Sequence, residues 1–230
     1  EIVLDTETTG LDPATGDRVV EIGAVELLNG VATGANFHAY INPERDMPEA
    51  AFRVHGLSEE FLRGHPVFAH VVEDFAAFIG DDRLVIHNAE FDVKFLNAEF
   101  ARLDRPSLDP GRVLDSLMVA RRKHPGAANS LDALCARYGI DSSRRKKHGA
   151  LLDAELLAEV YVELSGGRQS AFSLQAAEVR VEQVTFDLLA ERPTPLKPRL
   201  TSEDLTAHET FLVRLGEKAL WRRGGSGVLG

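Results

Sequence analysis

Residues 2–10 read Ile-Val-Leu-Asp-Thr-Glu-Thr-Thr-Gly, and this segment puts two carboxylates inside an apolar run that is typical of a buried β-strand. Residues two apart in a strand point to the same face, so Asp5 and Glu7 converge on one spot. Burying two carboxylates this close together is unfavourable unless a cation lies between them. A hard divalent ion with oxygen ligands is the natural candidate.

The composition predicts a globular chain with one sizeable domain and an appendage. There are 230 residues, of which 44% are hydrophobic, enough for a real core. The single cysteine, Cys135, cannot form an internal disulfide and fits a reducing compartment. No apolar run approaches membrane-spanning length and no signal peptide is seen, so we expect a soluble, cytoplasmic protein with no membrane partner.

The formal net charge of −10 argues against a strong, self-sufficient nucleic-acid binder. Any phosphate chemistry must therefore depend on metals or on a partner. Two basic runs stand out locally, Arg121-Arg122-Lys123-His124 and Arg144-Arg145-Lys146-Lys147. Taken alone, such runs are solvated faces more often than binding sites.

The order of the predicted elements indicates an α/β fold. Three strands come first, at Ile2–Asp5, Arg18–Leu27 and Phe37–Ile41, with a hairpin turn at Asn29-Gly30. Helical periodicity follows at Pro66–Ile79, Glu90–Leu103, Ser116–His124, Leu131–Tyr138 and Ala150–Leu164. Short strands are predicted at Leu84–His87 and near Val113. An antiparallel meander followed by alternating strands and helices predicts a mixed sheet covered by helices on both faces.

The pattern changes after about Gly166-Gly167. We expect a catalytic domain over 1–165, a flexible, proline-punctuated linker over 166–200, an amphipathic segment over 201–223 and a flexible tail over 224–230. A short amphipathic helix with nothing of its own to pack on docks on its own domain or on another protein. Docking on a partner is the favoured alternative, which makes this an extended C-terminal partner-binding segment.

Two further acids occupy apolar helical faces. Asp92 shares its face with Phe95 and Leu96, and Asp153 heads a stripe that contains Leu156 and Leu157. Either acid alone fits a capping or dipole-stabilising role. Four acids of this kind, with Asp5 and Glu7, are better explained together, by one cluster of divalent cations.

His148 precedes Asp153 by five residues, in a basic, glycine-containing loop that enters the helix. That position places it over the same end of the sheet as the acids. A metal site that activates water needs a proton acceptor with a pKa close to working pH, and His148 suits this role.

At this point the residues resemble a known family. Asp5-x-Glu7, His87-Asn88-Ala89-x-Phe91-Asp92 and His148-x₄-Asp153 look like the three exonuclease motifs of the DnaQ-like DEDDh superfamily, over about residues 1–165. Val54–Ser58 resembles a family segment near the terminal nucleotide. Within the superfamily the chain is most similar to the epsilon (proofreading) subunits of bacterial DNA polymerase III. The segments Asn129–Cys135 and Ala207–Trp221 carry that closer resemblance.

The resemblance implies a ribonuclease-H-like three-layer α/β/α fold and 3′–5′ removal of nucleotides. Asp5, Glu7, Asp92 and Asp153 would hold two Mg²⁺ or Mn²⁺ ions, and His148 would take a proton from the attacking water. Substrate contacts carried over from the family are Thr6, Thr8, His55, Asn88 and Phe91. Two of these residues also suit purely structural roles, because Asn88 can cap the next helix and Phe91 can belong to the core.

The resemblance also implies partners. The substrate would be single-stranded or frayed 3′ DNA ends. Residues 201–223 would bind the catalytic (alpha) subunit of the polymerase, and a small accessory subunit is a further candidate partner. Gln169–Leu174 resembles the short peptides that bind the bacterial sliding clamp, which predicts a modest clamp contact.

Three other functions stay open from the sequence. A stand-alone exoribonuclease or oligonucleotide trimmer would use the same acids and histidine, because the metal site acts on the phosphate and not on the sugar. A non-catalytic replisome interaction subunit would not need all five chemical residues. A magnesium phosphohydrolase that is not a nuclease would not need a histidine at this spacing.

Overall fold

The computed structural model describes residues 1–143, 147–166 and 200–216. They fall into two units, the first within Glu1–Leu174 and the second within Gln175–Gly230, and each is described on its own. Most of the predicted linker, including the clamp-like peptide Gln169–Leu174, lies outside the described residues. So do the end of the 201–223 segment and the 224–230 tail.

The first unit is built on a five-stranded mixed sheet with the order β3-β2-β1-β4-β5. The strands are β1 Ile2–Thr8, β2 Val19–Leu28, β3 Val31–Tyr40, β4 Leu84–Ile86 and β5 Val113–Asp115. β1 to β3 form an antiparallel meander, whereas β4 pairs in parallel with both β1 and β5. The predicted mixed sheet is therefore confirmed.

The helices of the first unit are α1 Glu49–His55, α2 Glu59–Arg63, α3 Phe68–Ile79, α4 Ala89–Ala101, α5 Ser116–Lys123, α6 Leu131–Tyr138 and α7 Ala150–Leu164. The predictions for α3 to α7 are confirmed, with ends that differ by no more than two residues. α1 and α2 were not predicted, because helices this short show no periodicity. None of the described helices is both long and apolar enough to cross a membrane.

The core lies in two layers, one on each face of the sheet. On one face Ile2 and Leu4 of β1 pack against Phe75 of α3 and Phe95 of α4. On the other face Val3 packs in a cluster formed mainly by α6 and α7. β1 is buried on both faces, so the three-layer α/β/α architecture predicted from the sequence is confirmed.

The hairpin between β2 and β3 turns at Asn29-Gly30, as predicted. Both residues have positive φ, 52° and 77°, which a two-residue hairpin turn of type I′ requires. The predicted start of β3 at Phe37 is wrong, because the strand begins at Val31. Val31–Asn36 is exposed at the sheet edge, so it lacks the alternating apolar pattern that marks a strand in the sequence.

A close backbone contact joins β2 to the first turn of α7. Gly23 of β2 pairs with Asp5 of β1. A Cβ atom on Gly23 would lie 2.1 Å from the Leu151 nitrogen and 2.2 Å from the Ala150 carbonyl carbon. The N-terminus of α7 therefore rests directly on the strand backbone, and this contact fixes the position of Asp153.

Replacing Gly23 by alanine is expected to destabilise the first unit by about 3 kcal/mol, because neither backbone can move away without disturbing the core. It should also weaken Mn²⁺ binding, since α7 carries Asp153. Chemical denaturation and calorimetric titration measure the two effects. Gly64→Ala is the matched control, because Gly64 has φ −80° and its nearest contact is 3.7 Å away. Equal stabilities of the two variants would contradict the prediction.

Candidate active site

The four predicted acids come from three different elements. Asp5 and Glu7 lie on β1, Asp92 lies in the first turn of α4, and Asp153 lies in the first turn of α7. Glu7, Asp92 and Asp153 are 8%, 4% and 2% exposed, far less than is usual for acids. The structure thus confirms that these three acids lie in buried positions beside the sheet.

The turn at the N-terminus of α4 orients this helix toward β1. Asn88, at the helix N-terminus, has the left-handed conformation, with φ 64° and ψ 51°. Its N–H donates to Oδ1 of Asp115 at 3.1 Å, and the same oxygen accepts from Leu117 N–H at 2.9 Å. Asn88 thus occupies the N-cap position of α4, as the alternative expected, but its side chain makes no capping hydrogen bond.

Thr6 ties Asp92 to β1. Its N–H and its hydroxyl both donate to Oδ1 of Asp92, at 3.1 and 2.7 Å. Burial raises the pKa of Asp92 to about 7, against the lowering effect of the Thr6 hydrogen bonds. The ionised form is therefore disfavoured unless a positive charge lies close by, which is what a divalent cation supplies.

His148 lies at the mouth of the same site. Its side chain is 48% exposed, and Nδ1 lies 3.2 Å from Oδ2 of Asp153. Its backbone N–H donates to the carbonyl of Val54 at 3.3 Å, which ties the loop to α1. Ligand atoms of Glu7, His148 and Asp153 all lie within 4.8 Å of one another, close enough to share an ion.

One cavity of about 280 Å³ collects these side chains. Its walls combine the acids and His148 with polar and apolar residues from β1, α4, α6 and the loops before them. They are Asp5, Thr6, Glu7, His87, Asn88, Phe91, Asp92, Ser130, Leu131, Asp132, His148 and Asp153. A larger groove of about 640 Å³ between the β2–β3 hairpin and α7 contains none of the predicted site residues. The chemistry of the lining residues, and not the volume of the cavity, therefore identifies the candidate site.

The predicted substrate residues divide into two groups. Thr6, Asn88 and Phe91 line the cavity, and Phe91 also packs against Phe95 with ring centres 4.9 Å apart. Phe91 thus belongs both to the core and to the wall. Thr8 and His55 are not among the lining residues, and the Thr8 hydroxyl donates to the carbonyl of Gly10 at 2.7 Å.

His55 is buried, and its two ring nitrogens have different surroundings. Its Nδ1 accepts a hydrogen bond from Leu57 N–H at 3.0 Å, so the neutral ring carries its proton on Nε2. Nε2 is buried without a hydrogen bond of normal geometry to any described group. Burial lowers the pKa of His55, opposed by the backbone of Thr8, and Lys147 and His148 lower it further. The predicted contact of His55 with substrate stays a prediction.

Four residues that line the cavity were not predicted as site residues, namely His87, Ser130, Leu131 and Asp132, and neither was Gly23, which lies outside the lining. Asp132, in the first turn of α6, adds an acid to the cavity wall. Gly23 determines where α7 can lie. Asp132 follows Ser130, which caps the helix, so the sequence offers only a helix-start signal there. Nothing local marks Gly23, because its role depends on a helix more than 120 residues later.

The residues present fit the binding of a divalent cation, since ligand atoms of Glu7, His148 and Asp153 lie close enough together to share one. The side chains converge from three elements and offer hard carboxylate oxygens, which Mg²⁺ and Mn²⁺ prefer. Asp132, Asp5 and Glu7 add negative charge to the same cavity. Without cations, the buried carboxylates of Glu7, Asp92 and Asp153 would be unfavourable so close to further acids.

Comparison with known proteins agrees with this chemistry. Residues 2–161 match a family described as exonuclease. A DNA polymerase III subunit epsilon from Rickettsia conorii is 50% identical over 220 residues, which cover 94% of this chain and 96% of that protein. The Escherichia coli K12 protein of the same name is 45% identical, with 96% and 97% of the two chains covered.

Solved structures share the fold. A complex of Exonuclease X with 5′ overhanging duplex DNA has a TM-score of 0.57 at 25% identity, with 71% of this chain and 89% of that chain covered. The nuclease domain of 3′hExo, a DEDDh family member bound to rAMP, has a TM-score of 0.62 at 18% identity, with 71% and 90% covered. The ribonuclease-H-like fold expected from the sequence is thereby confirmed.

Replacing Asp92 by asparagine is expected to stabilise the metal-free chain at pH 8 but not at pH 4. The pKa of Asp92 is about 7 in the folded chain, above the ordinary value of 3.8, so stability falls as the pH rises through this window. The difference amounts to at most about 4 kcal/mol. Thermal unfolding in EDTA at the two pH values measures it.

Added Mn²⁺ provides the second half of this test. At pH 8 it should raise the melting temperature of the wild-type chain clearly more than that of Asp92→Asn, because the variant lacks one ligand charge. If both chains respond equally to pH and to Mn²⁺, Asp92 is not a buried acid that needs a cation.

Proposed function

The chain belongs to the exonuclease family, and within it to the DNA polymerase III epsilon subunits, and on that premise we propose that it removes mispaired nucleotides from 3′ DNA ends as the proofreading subunit of a replicative polymerase. It is a 3′–5′ exonuclease, a phosphodiester hydrolase. One observation carries the finer proposal. Asp5, Glu7, Asp92, Asp153 and His148 converge on a single cavity.

Asp5, Glu7, Asp92 and Asp153 would hold two Mg²⁺ or Mn²⁺ ions. When bound, such ions neutralise charge on the phosphoryl oxygens, favour formation of the nucleophilic hydroxide and stabilise the leaving alkoxide. The chain's own residues hold the acids in place: Thr6 anchors Asp92, and Gly23 lets α7 bring Asp153 against β2. The scissile phosphate would lie in the cavity that these residues line.

His148 is the proposed general base. Asp153 lies 3.2 Å from Nδ1 of His148, so it favours the tautomer that carries the proton on that nitrogen. Nε2 is then the ring nitrogen that takes the proton of the attacking water. The pair is thus arranged as an oriented base in the manner of other histidine–carboxylate pairs.

Replacing His148 by alanine should lower kcat by about 10²–10⁴-fold while Mn²⁺ affinity changes little. Release of mononucleotides from 3′-mismatched DNA and calorimetric Mn²⁺ titration measure the two quantities. His70→Ala, an exposed histidine of α3, is the matched control and should change neither. Asp5→Ala should lose more activity than His148→Ala, together with Mn²⁺ affinity. Loss of Mn²⁺ binding in His148→Ala would show that the histidine is a ligand and not the base.

The proposed preference for DNA rests on the epsilon relatives and not on the cavity. The acids and His148 act on a phosphate and do not distinguish the sugar. An unpaired end enters a narrow cavity more easily than a paired one, since a mismatch has already lost part of its pairing energy. Equal or faster hydrolysis of RNA in the mononucleotide assay would favour the stand-alone exoribonuclease instead.

The second unit supports the proposed polymerase contact. Its described part forms α8, Ser202–Leu215, which begins with a capping box between Thr201 and Asp204. Leu205, Phe211 and Leu215 of this helix are 53%, 58% and 50% exposed. An amphipathic helix with an exposed apolar side is suited to lie in a groove of another protein. We therefore assign residues 201–223 to the catalytic subunit of the polymerase.

Deleting residues 201–223 should abolish co-purification with the polymerase catalytic subunit and leave hydrolysis of single strands intact. Phe211→Asp tests the apolar side alone and should weaken the complex by at least about tenfold. The matched control is Glu209→Ala on the same helix, which should bind normally. Binding is measured by surface plasmon resonance with the full chain. A deletion variant that still co-purifies would refute the assignment.

A further inference from the structure

Arg121 is unusual among the arginines that the structure describes in the first unit. Every other arginine that the structure describes there hydrogen-bonds or ion-pairs with a carboxylate or a carbonyl, as Arg18 does with Glu99. Among the residues described, the guanidinium of Arg121 has no such partner, and the residue is exposed. In a chain with a net charge of −10, a guanidinium that no described acid holds is suited to bind an anionic ligand.

The neighbours of Arg121 are committed to other contacts. Nε of Arg122 donates to the carbonyl of Met118 at 3.3 Å. Nζ of Lys123 donates to the carbonyls of Glu163 and Leu164, at 2.6 and 3.2 Å. Of the three cations in this basic run, two therefore make local contacts, and Arg121 is the one with no hydrogen-bond or ion-pair partner among the described residues.

Arg121 lines a second cavity, of about 700 Å³, directly beside the acid-lined one. The two cavities share His87, Asn88 and Ser130. No acid is among the described residues that line the second cavity. A nucleic-acid strand that leaves the acid-lined cavity on this side would thus pass from carboxylates to a guanidinium.

The walls of the second cavity are held firmly. Nδ1 of His87 hydrogen-bonds the Ser116 hydroxyl at 2.9 Å. The amide nitrogen of Asn129 donates to the carbonyls of His124 and Ala127, at 3.2 and 2.9 Å. A site with fixed walls loses little entropy when a ligand binds, so it can orient one.

Successive phosphates of a nucleic acid would meet different charged groups in the two cavities. Ions held by the acids would neutralise the scissile phosphate, but a neighbouring phosphate would lie beyond those ions and close to negative charge. An arginine can bind that phosphate through two parallel hydrogen bonds. Arg121 has the position to do so, and no described group occupies its donors.

We propose that Arg121 and the cavity it lines bind the backbone phosphate that precedes the scissile linkage of a single-stranded nucleic acid. This inference rests on the proposed exonuclease function and adds a second subsite to it. Arg121 contacts no reacting atom, so it raises affinity and retention of the strand without changing the hydrolytic step.

The test compares substrates with and without that phosphate. In the full chain, Arg121→Ala should raise KM for a DNA oligonucleotide by about tenfold, as the loss of one charged hydrogen-bonded contact implies, with kcat unchanged. The 4-nitrophenyl ester of thymidine 5′-phosphate has no preceding phosphate, and its KM should stay the same. The slope of log KM against log salt should fall by about 0.7 for the oligonucleotide.

Two matched variants separate charge from position. Arg122→Ala removes the same charge from the next residue of α5 and should leave KM within about twofold of wild type. Arg121→Lys keeps the charge but not the paired donors, so it should fall between Arg121→Ala and wild type. An oligonucleotide with a neutral methylphosphonate at the second linkage from the 3′ end should bind wild type as weakly as Arg121→Ala, with no further loss in the variant.

The outcomes are distinct. If wild type hydrolyses both substrates but Arg121→Ala matches Arg122→Ala, the inference is wrong and the exonuclease function stands. If KM for the nitrophenyl ester rises as well, Arg121 shapes the acid-lined cavity and does not bind the preceding phosphate. If the wild-type chain hydrolyses neither substrate, the proposed function fails, and the inference fails with it.

Discussion

The burial of several carboxylates around the end of β1 is the constraint on which the rest of the structure depends. β1 is the central strand and is covered by helices on both faces, so Asp5 and Glu7 extend directly from the core. Burial raises the pKa of Asp92 to about 7. The fold therefore keeps, at its centre, a site in which cations or protons would stabilise the buried acids.

The neighbouring elements hold the acids close together despite the repulsion between their negative charges. Asn88 adopts a left-handed turn and is held by Asp115, which aims α4 at β1. Thr6 binds Asp92 from the strand side, and the absence of a side chain at Gly23 lets α7 approach β2. These contacts lie outside the predicted ligand set, yet the geometry of the ligands depends on each of them.

The sequence was sufficient for the parts of the fold that have a strong period or a clear chemical anomaly. β1, α4 and α7 were predictable because their apolar patterns are regular, and the acids that interrupt those patterns are the proposed metal ligands. α1, α2 and the first half of β3 were not, because short helices and an exposed edge strand give no repeat to detect. Gly23 and the Thr6–Asp92 contact depend on residues distant in the chain, so no local pattern shows them.

The described arginines differ in whether groups of the chain itself hold them. A chain this acidic repels nucleic acid at long range, so its affinity must come from a few positive groups placed at the site. Most described arginines are held by acids or carbonyls of the chain itself, as Arg18 is by Glu99. Arg121 has no such partner among the described residues and lies beside the acid-lined cavity. This arrangement is consistent with the proposed selectivity for a frayed end, since weak binding overall lets a paired end dissociate before it unpairs.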